Sequence, residues 1–409
     1  MTIVGALPFT LQNGTTADAT QVMADFNSIK TDVNTNGAAS GANSDITSLA
    51  GLTTPLSIAQ GGSGSAAPGP FVFAGGYRNI ARRNGGLEIW QRGAGGAASF
   101  AVGASGGSPY TSDGWYVLNG ANQACVVSQS AGISNGSQWC AKIIRNNAQT
   151  GTGTMAFSFP LDTDELYPML GQFVRLSFVA KCGANFSPAS SIVFGSLYVG
   201  TGAPVKRSTG FTGETNPILS ATIVSSTATR FQSTSTVIVP TTTRQAEIVF
   251  QWTPSGTAGA DDSLYIDDVQ LEIVPASSGY GASNFERLTF LEQWALCQRH
   301  YQKSFTYAVA PAQNVGFVGS ITFMAGKAGA GSDFFSLNFP FVMRVAPSIT
   351  YYNTSNTNAQ ARDSVAAADC SSTTASNIAT GSFFTLTTGN ASTAVGNALE
   401  VHYTADAGI

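Results

Sequence analysis

Charge is what this 409-residue chain has least of: Lys, Arg, Asp and Glu together make up 10% of it, against ~25% in an ordinary soluble domain. At 43% hydrophobic residues it is not a disordered polyelectrolyte. Its surface must therefore be covered by Ser, Thr, Asn, Gln and Gly. A formal net charge of −4 and a pI near 5.2 give no phosphate-binding footprint, so nucleic acid is not an expected partner. The densest basic spot, Arg78, Arg82, Arg83 and Arg92, is short and broken by glycines. Histidine is nearly absent, with only His300 and His402, and neither an HExxH nor a GxSxG pattern occurs. The five cysteines (Cys125, Cys140, Cys182, Cys297, Cys370) include no CxxC pair. They read as free, mostly buried thiols, with a Cys125–Cys140 hairpin bridge as the alternative. No apolar run approaches the 18 residues of a membrane span. The start, MTIVGALPFTLQNG, lacks a basic region, a long apolar stretch and a cleavage site, so export by a signal peptide is not expected.

What is present is a β-type sequence rich in small residues, with 45 glycines. From about residue 71 to 275, short apolar runs alternate with Gly/Ser/Asn turns. They include Cys125-Val126-Val127, Trp139 to Ile144, Phe173 to Val179, Ile192-Val193-Phe194, Ser235 to Val239 and Ala246 to Trp252. Regular strands without intervening helices predict a sandwich or jelly roll. Residues 286–300 break the pattern as a short amphipathic helix, in which Leu288, Leu291, Ala295 and Cys297 are expected to face protein. Residues 304–409 return to β patterning.

Nearer the start, Asp18 followed by Gln21 resembles a capping box. Val22, Phe26, Ile29 and Val33 then recur at spacings of four, three and four, one stripe of a helix. A lone helix of this length is marginal in water. The stripe packs either on its own chain or, as the favoured expectation, on copies of itself in a parallel bundle.

Several segments resemble bacteriophage tail-fibre and related virion proteins. Phe285-Glu286-Arg287, Glu292, Leu296-Cys297-Gln298-Arg299 and Tyr301-Gln302-Lys303-Ser304 resemble a junction common in those fibres. Pro55-Leu56, then Ala59-Gln60-Gly61-Gly62-Ser63-Gly64, resemble the segment that precedes their distal domains. Asn338-Phe339-Pro340, Met343-Arg344 and Pro347-Ser348-Ile349-Thr350 resemble a strand of their head domain. Tyr403-Thr404-Ala405-Asp406-Ala407 resembles their terminus. Arg83 to Gly93, Tyr110 to Trp115 and Leu264 to Glu272 resemble the opening and closing strands of a jelly-roll carbohydrate-binding module.

The resemblance implies a mainly β, homotrimeric fibre. Residues 1–40 would form a virion anchor with an oligomerisation helix, docked on another virion protein, and 41–70 a linker. Residues 71–280 would form a jelly-roll carbohydrate-binding-like domain, and 285–409 a helix plus β-sandwich head. The expected role is host attachment through surface glycans, as a tail fibre or receptor-binding protein of a particle assembled in the bacterial cytoplasm. A capsid head fibre or decoration protein is the alternative, and a glycan depolymerase a further one. Sugar stacking needs aromatic faces, and the candidates are Trp90, Tyr110, Trp115 and Trp139, each tryptophan having a core role as its alternative. A structural Ca²⁺ is implied at Glu88 with Asp267 or Asp268. The alternative is that both aspartates cap a strand and pair with Arg82 or Arg83. Asp162, Asp164 and Glu165 form an acidic loop that reads as a solvated turn rather than a hydrolytic carboxylate pair. The chain is accordingly expected to bind rather than to catalyse. Arg287, Gln298 and Arg299 read as polar contacts between units.

Overall fold

The structure is a computed structural model describing residues 18–36, 78–104, 106–120, 123–274 and 281–409. The expectations for residues 1–17 and for the 41–70 linker, with its Pro55 to Gly64 motif, lie outside the described residues. The chain divides into two compact units, Met1–Gly69 and Pro70–Ile409.

In the first unit, helix α1 (Ala19–Asn36) begins after Asp18, whose Oδ1 accepts the Thr20 N–H at 2.7 Å. Along the stripe, Val22 and Ile29 are half-buried, while Phe26 and Val33 are exposed.

The second unit opens with an antiparallel sandwich of eleven strands. They are β1 (Ser99–Val102), β2 (Tyr116–Asn119), β3 (Cys125–Ala131), β4 (Trp139–Arg145), β5 (Met155–Leu161), β6 (Phe173–Cys182), β7 (Ile192–Gly200), β8 (Thr215–Ile223), β9 (Thr229–Thr234), β10 (Gln245–Trp252) and β11 (Ser263–Val274). One sheet has the order β1-β3-β4-β11-β6-β9 and the other β2-β5-β10-β7-β8. The chain passes between sheets at β1–β2, β2–β3, β4–β5, β5–β6, β6–β7, β8–β9, β9–β10 and β10–β11, which is jelly-roll winding. Alternation makes this possible: in β3, Cys125 and Val127 are buried while Val126 and Ser128 between them are half-exposed. Trp115 centres the core, its ring 4.7 Å from Phe157 and 4.9 Å from Phe159.

The run Ser235 to Val239 is not a strand, contrary to the sequence reading. Ser235 N–H and Val239 N–H bond Val174 and Gln172 carbonyls beside β6 without a regular ladder, and Pro240 ends the run. β5, absent from the runs named above, carries Pro160 inside the strand. A single turn, α2 (Thr163–Leu166), carries a capping box between Asp162 and Glu165.

Residues 285–289 carry no regular secondary structure, and helix α3 is Phe290–Gln298, shorter than expected because Thr289 and Glu292 form its capping box. Gln293, Cys297 and Gln298 are buried, whereas Leu291, expected to face protein, is 70% exposed.

A second sandwich follows: β12 (Tyr301–Lys303), β13 (Ile321–Met324), β14 (Ser332–Asn338), β15 (Ser348–Tyr352), β16 (Arg362–Asp363), β17 (Ala368–Asp369), β18 (Ser372–Ser376), β19 (Ser382–Thr388) and β20 (Ala398–Asp406). β20 pairs with β12, β13, β15 and β16, and β14-β19-β18 form the facing sheet. Phe339, Phe383, Leu399, Val401 and Tyr403 lie in its core.

Polar contacts fasten the two sandwiches. Arg92 binds both oxygens of Asp406 (2.5 and 3.1 Å), Arg299 pairs with Asp164 (2.5 Å), His300 Nε2 lies 3.3 Å from Asp162, and Gln298 donates to Gln91. All five cysteines are free and buried. Among the described residues, no helix is long and apolar enough to cross a membrane.

Candidate functional site

The outer face of the five-stranded sheet is where aromatic rings and charged side chains meet. Its registers place Tyr116, Ser158, Val249, Ser196 and Leu219 in one row across the strands. The next row is Leu118, Ala156, Gln251, Phe194 and Ala221, and a third is Pro160, Glu247 and Tyr198. Phe194 and Tyr198 lie four residues apart on β7, so both point outward, about 13 Å apart. Phe194 is 38% exposed and Leu219 56%, whereas Tyr116, Ser158, Glu247, Val249 and Ser196 form a buried floor.

The connection between β7 and β8 folds over one end of this face. Gln245 fixes it, its side chain accepting from Gly202 N–H (3.1 Å) and donating to the Ala203 carbonyl (2.7 Å). This places Arg207 with its guanidinium 3.6 Å from the Tyr198 ring centroid and both Glu214 oxygens at 2.9 Å. Glu247 accepts from Tyr116 Oη (2.6 Å) and Arg207 N–H (2.9 Å). Burial raises the Glu247 pKa to about 7, although these donors and the Arg207 charge pull it down. Beside it, Tyr110 meets Tyr116 edge-on at 6.2 Å. Arg92 lies over the Tyr110 and Tyr301 rings, and Lys206 Nζ over Tyr110 and Tyr116. Chemically, such a face can stack a flat apolar ligand surface on its rings and fix its hydroxyls by hydrogen bonds.

Of the four aromatic candidates from the sequence, only Tyr110, half-buried, reaches this face. Trp90 and Trp115 are fully buried, with Nε1 bound to the carbonyls of Leu87 (2.6 Å) and Asn84 (2.9 Å), so they offer no ring face to a ligand. Trp139 is half-buried at the start of β4, on the other sheet. Tyr198 and Phe194 were missed, although extending the alternation of the Ile192-Val193-Phe194 run would have put them on one face. Lys206, Arg207 and Glu247 carried no recognisable sequence signal.

Glu88 and Asp268, but not Asp267, are brought together around a guanidinium. Arg287 contacts both Asp268 oxygens (2.9 and 2.8 Å) and lies 3.8 Å from Glu88. Asp267 is turned away, accepting from Ile133 N–H (2.9 Å), Ser134 N–H (3.2 Å), Ser137 Oγ (3.0 Å) and Asp268 N–H (2.8 Å). A bulge in β11 between Asp267 and Gln270 separates the two carboxyls, with Asp268 at φ 45°. Burial, then the Asp268 charge, raises the Asp267 pKa to about 7. Calcium needs six to eight converging oxygens, and this arrangement does not fit it. Among the described residues, no group of three or more His, Cys, Asp or Glu could hold a metal. The pairing alternative has the right chemistry but the wrong partner: Arg287 stands where Arg82 or Arg83 was expected.

No protein-family model matches the chain, and no curated protein matches it. Solved structures similar to it include the enzymatically active domain of tailspike protein 4 of bacteriophage CBA120 (16% identity, TM-score 0.28, covering 39% of this chain and 19% of that one). A CBM4 structure matches at 16% identity and TM-score 0.27, over 47% of this chain and 98% of that one. The CBM22-1 xylan-binding domain of a Paenibacillus barcinonensis protein matches at 17% identity and TM-score 0.28, over 44% and 94%. The chain thus spans about a fifth of the tailspike domain and nearly all of each binding module.

Proposed function

We propose that this chain is an adhesive virion protein, a tail fibre or receptor-binding protein, that holds host-surface glycans on the outer face of its five-stranded sheet. The observation that carries the reading is that Phe194 and Tyr198 project from β7 onto a face whose other groups are mostly small, polar or charged, with Tyr110 beside Tyr116 at its β2 edge. Rings spaced along a strand suit an extended sugar chain, and the buried floor holds them in place. The role is binding without a chemical step. The acidic loop, read from the sequence as a solvated turn, is held in polar contacts: Glu165 lies 3.4 Å from Arg83, Asp162 is bonded to His300, whose imidazole burial keeps towards its neutral form, and Asp164 pairs with Arg299.

Assembly as a homotrimer, anchored through residues 1–40, belongs to the same proposal. Apolar side chains left on the surface support it: Phe26 and Val33 on α1, and Val318, Phe334 and Val342 in the second sandwich. Three weak sites on one fibre gain avidity on a repetitive surface, by ~10²–10⁴ over a single site. The test is binding of the full chain to bacterial surface polysaccharides, wild type against Tyr198→Ala. The expected result is at least a tenfold loss, about 1.4 kcal/mol, for the variant. Equal binding by both proteins would remove the face from the account.

A further inference from the structure

The charges on the candidate face are nearly all spoken for, and the exception names a ligand chemistry. Arg92 is held by both oxygens of Asp406, and Arg207 by both oxygens of Glu214. The two Glu247 oxygens are taken by Tyr116 Oη and Arg207 N–H. Lys206 is different. Its Nζ lies 3.7 Å from the Tyr110 ring centroid and 4.8 Å from that of Tyr116, and it donates to the Ser108 carbonyl at 2.6 Å. An ammonium has three donors. Among the described residues, no ion pair joins Lys206 to a carboxylate. A half-buried cation without a counter-charge is costly. Desolvation, then the nearby Arg92 charge, lowers the Lys206 pKa to about 8, with only partial relief from Asp406 and Glu247.

We propose that Lys206 is the anchor for an anionic group, a carboxylate or a phosphate, carried by the glycan that binds this face. The inference rests on the binding role proposed above and adds the ligand's charge. Two ring faces hold the ammonium at a fixed point, and two of its donors are left for oxygens of the ligand. Lysine acts here as a point charge without the planar fork of arginine, so carboxylate and phosphate are equally acceptable and the neighbouring rings select the sugar.

The experiment uses the full chain and three sets of immobilised polysaccharide: uronate-bearing polymers beside their carboxyl-reduced forms, phosphate-bearing polymers beside their dephosphorylated forms, and neutral polymers. The expected result is binding to at least one acidic polymer that falls tenfold or more when the acid is removed. Raising salt from 50 to 500 mM should weaken it in parallel. Lys206→Gln should lower binding of the acidic form to the level of its neutral counterpart, while Lys206→Arg, which keeps the charge, retains the preference. Loss on carboxyl reduction identifies a uronate, and loss on dephosphorylation a phosphate. Binding that survives removal of the acid, or an acid preference that survives Lys206→Gln, overturns the anchor and leaves the glycan-binding face standing. Failure to bind any polymer of all three sets overturns the face and the anchor together.

Discussion

The two sandwiches of the second unit solve the same packing problem but differ in where their largest rings end up. In the first, the large aromatics go inside: Trp90, Trp115, Phe157, Phe159 and Phe250 are all fully buried. In the second, Phe334 is 71% exposed, Val318 77%, Val342 68%, Val365 67% and Val395 66%. Both bury aromatic rings and both leave some aliphatics outside, Leu219 (56%) and Ile223 (68%) in the first, but only the second leaves a phenylalanine as exposed as Phe334. The difference teaches that a low-charge β sequence does not by itself tell where its apolar side chains go. A second sandwich that leaves Phe334 exposed on β14 and Val318, Val342, Val365 and Val395 exposed in its turns and loops has surface for a partner, which the proposed trimer would supply.

The contrast breaks most sharply at Trp115. Truncation to Ala removes a side chain stacked on three phenylalanines. It is expected to cost about 3–5 kcal/mol, read as a lower urea midpoint for the first sandwich. In the second sandwich, Phe334→Asp should leave the fold nearly as stable, within about 1 kcal/mol for an exposed site. Its effect should instead be on mass: sedimentation velocity of the full chain should move from trimer towards monomer. A Phe334→Asp protein that keeps its mass would mean that the exposed face of β14 is not a seam between copies.

A smaller effect concerns the buried carboxyl of the binding face. The Glu247 pKa is raised from 4.5 to about 7 by burial. A raised pKa contributes stability that is fully present below the unfolded value and is lost as pH rises through the folded one. Wild type should therefore lose stability between pH 4.5 and 7 at this position, and Glu247→Gln should not. Urea unfolding of both proteins at pH 4.5 and pH 8 should show the variant gaining on the wild type by on the order of 2 kcal/mol at the higher pH. A constant difference between the two proteins at both pH values would contradict the shift.

How much of this was legible in the sequence follows the physics of each signal. β3 showed itself because burial on one face leaves a period of two, and β6 and β10, buried on both faces, showed themselves as short continuous apolar runs. β5 is as fully buried as β6 and β10 but contains Pro160, a residue that argues against a central strand. Helix α3 was visible, but its boundary depended on the Thr289–Glu292 capping box, and with it the fate of Leu291. The binding face was hardest to see. Tryptophan is as good a core residue as a stacking platform, and Trp90 and Trp115 took the core. The acidic trio was found as a cluster, yet its counter-charge, Arg287, came from the segment after β11. Lys206 and Arg207 reached the face through a connection whose path depends on Gln245, some 40 residues away in sequence.

The central claim is that the five-stranded sheet carries the glycan, and amide hydrogen exchange of the full chain with and without bound polysaccharide tests it most directly. Protection concentrated in β7, β10 and residues 201–214, with the six-stranded sheet around Trp139 unchanged, is the predicted result. Protection centred on Trp139 and the six-stranded sheet, with β7 unaffected, would contradict it.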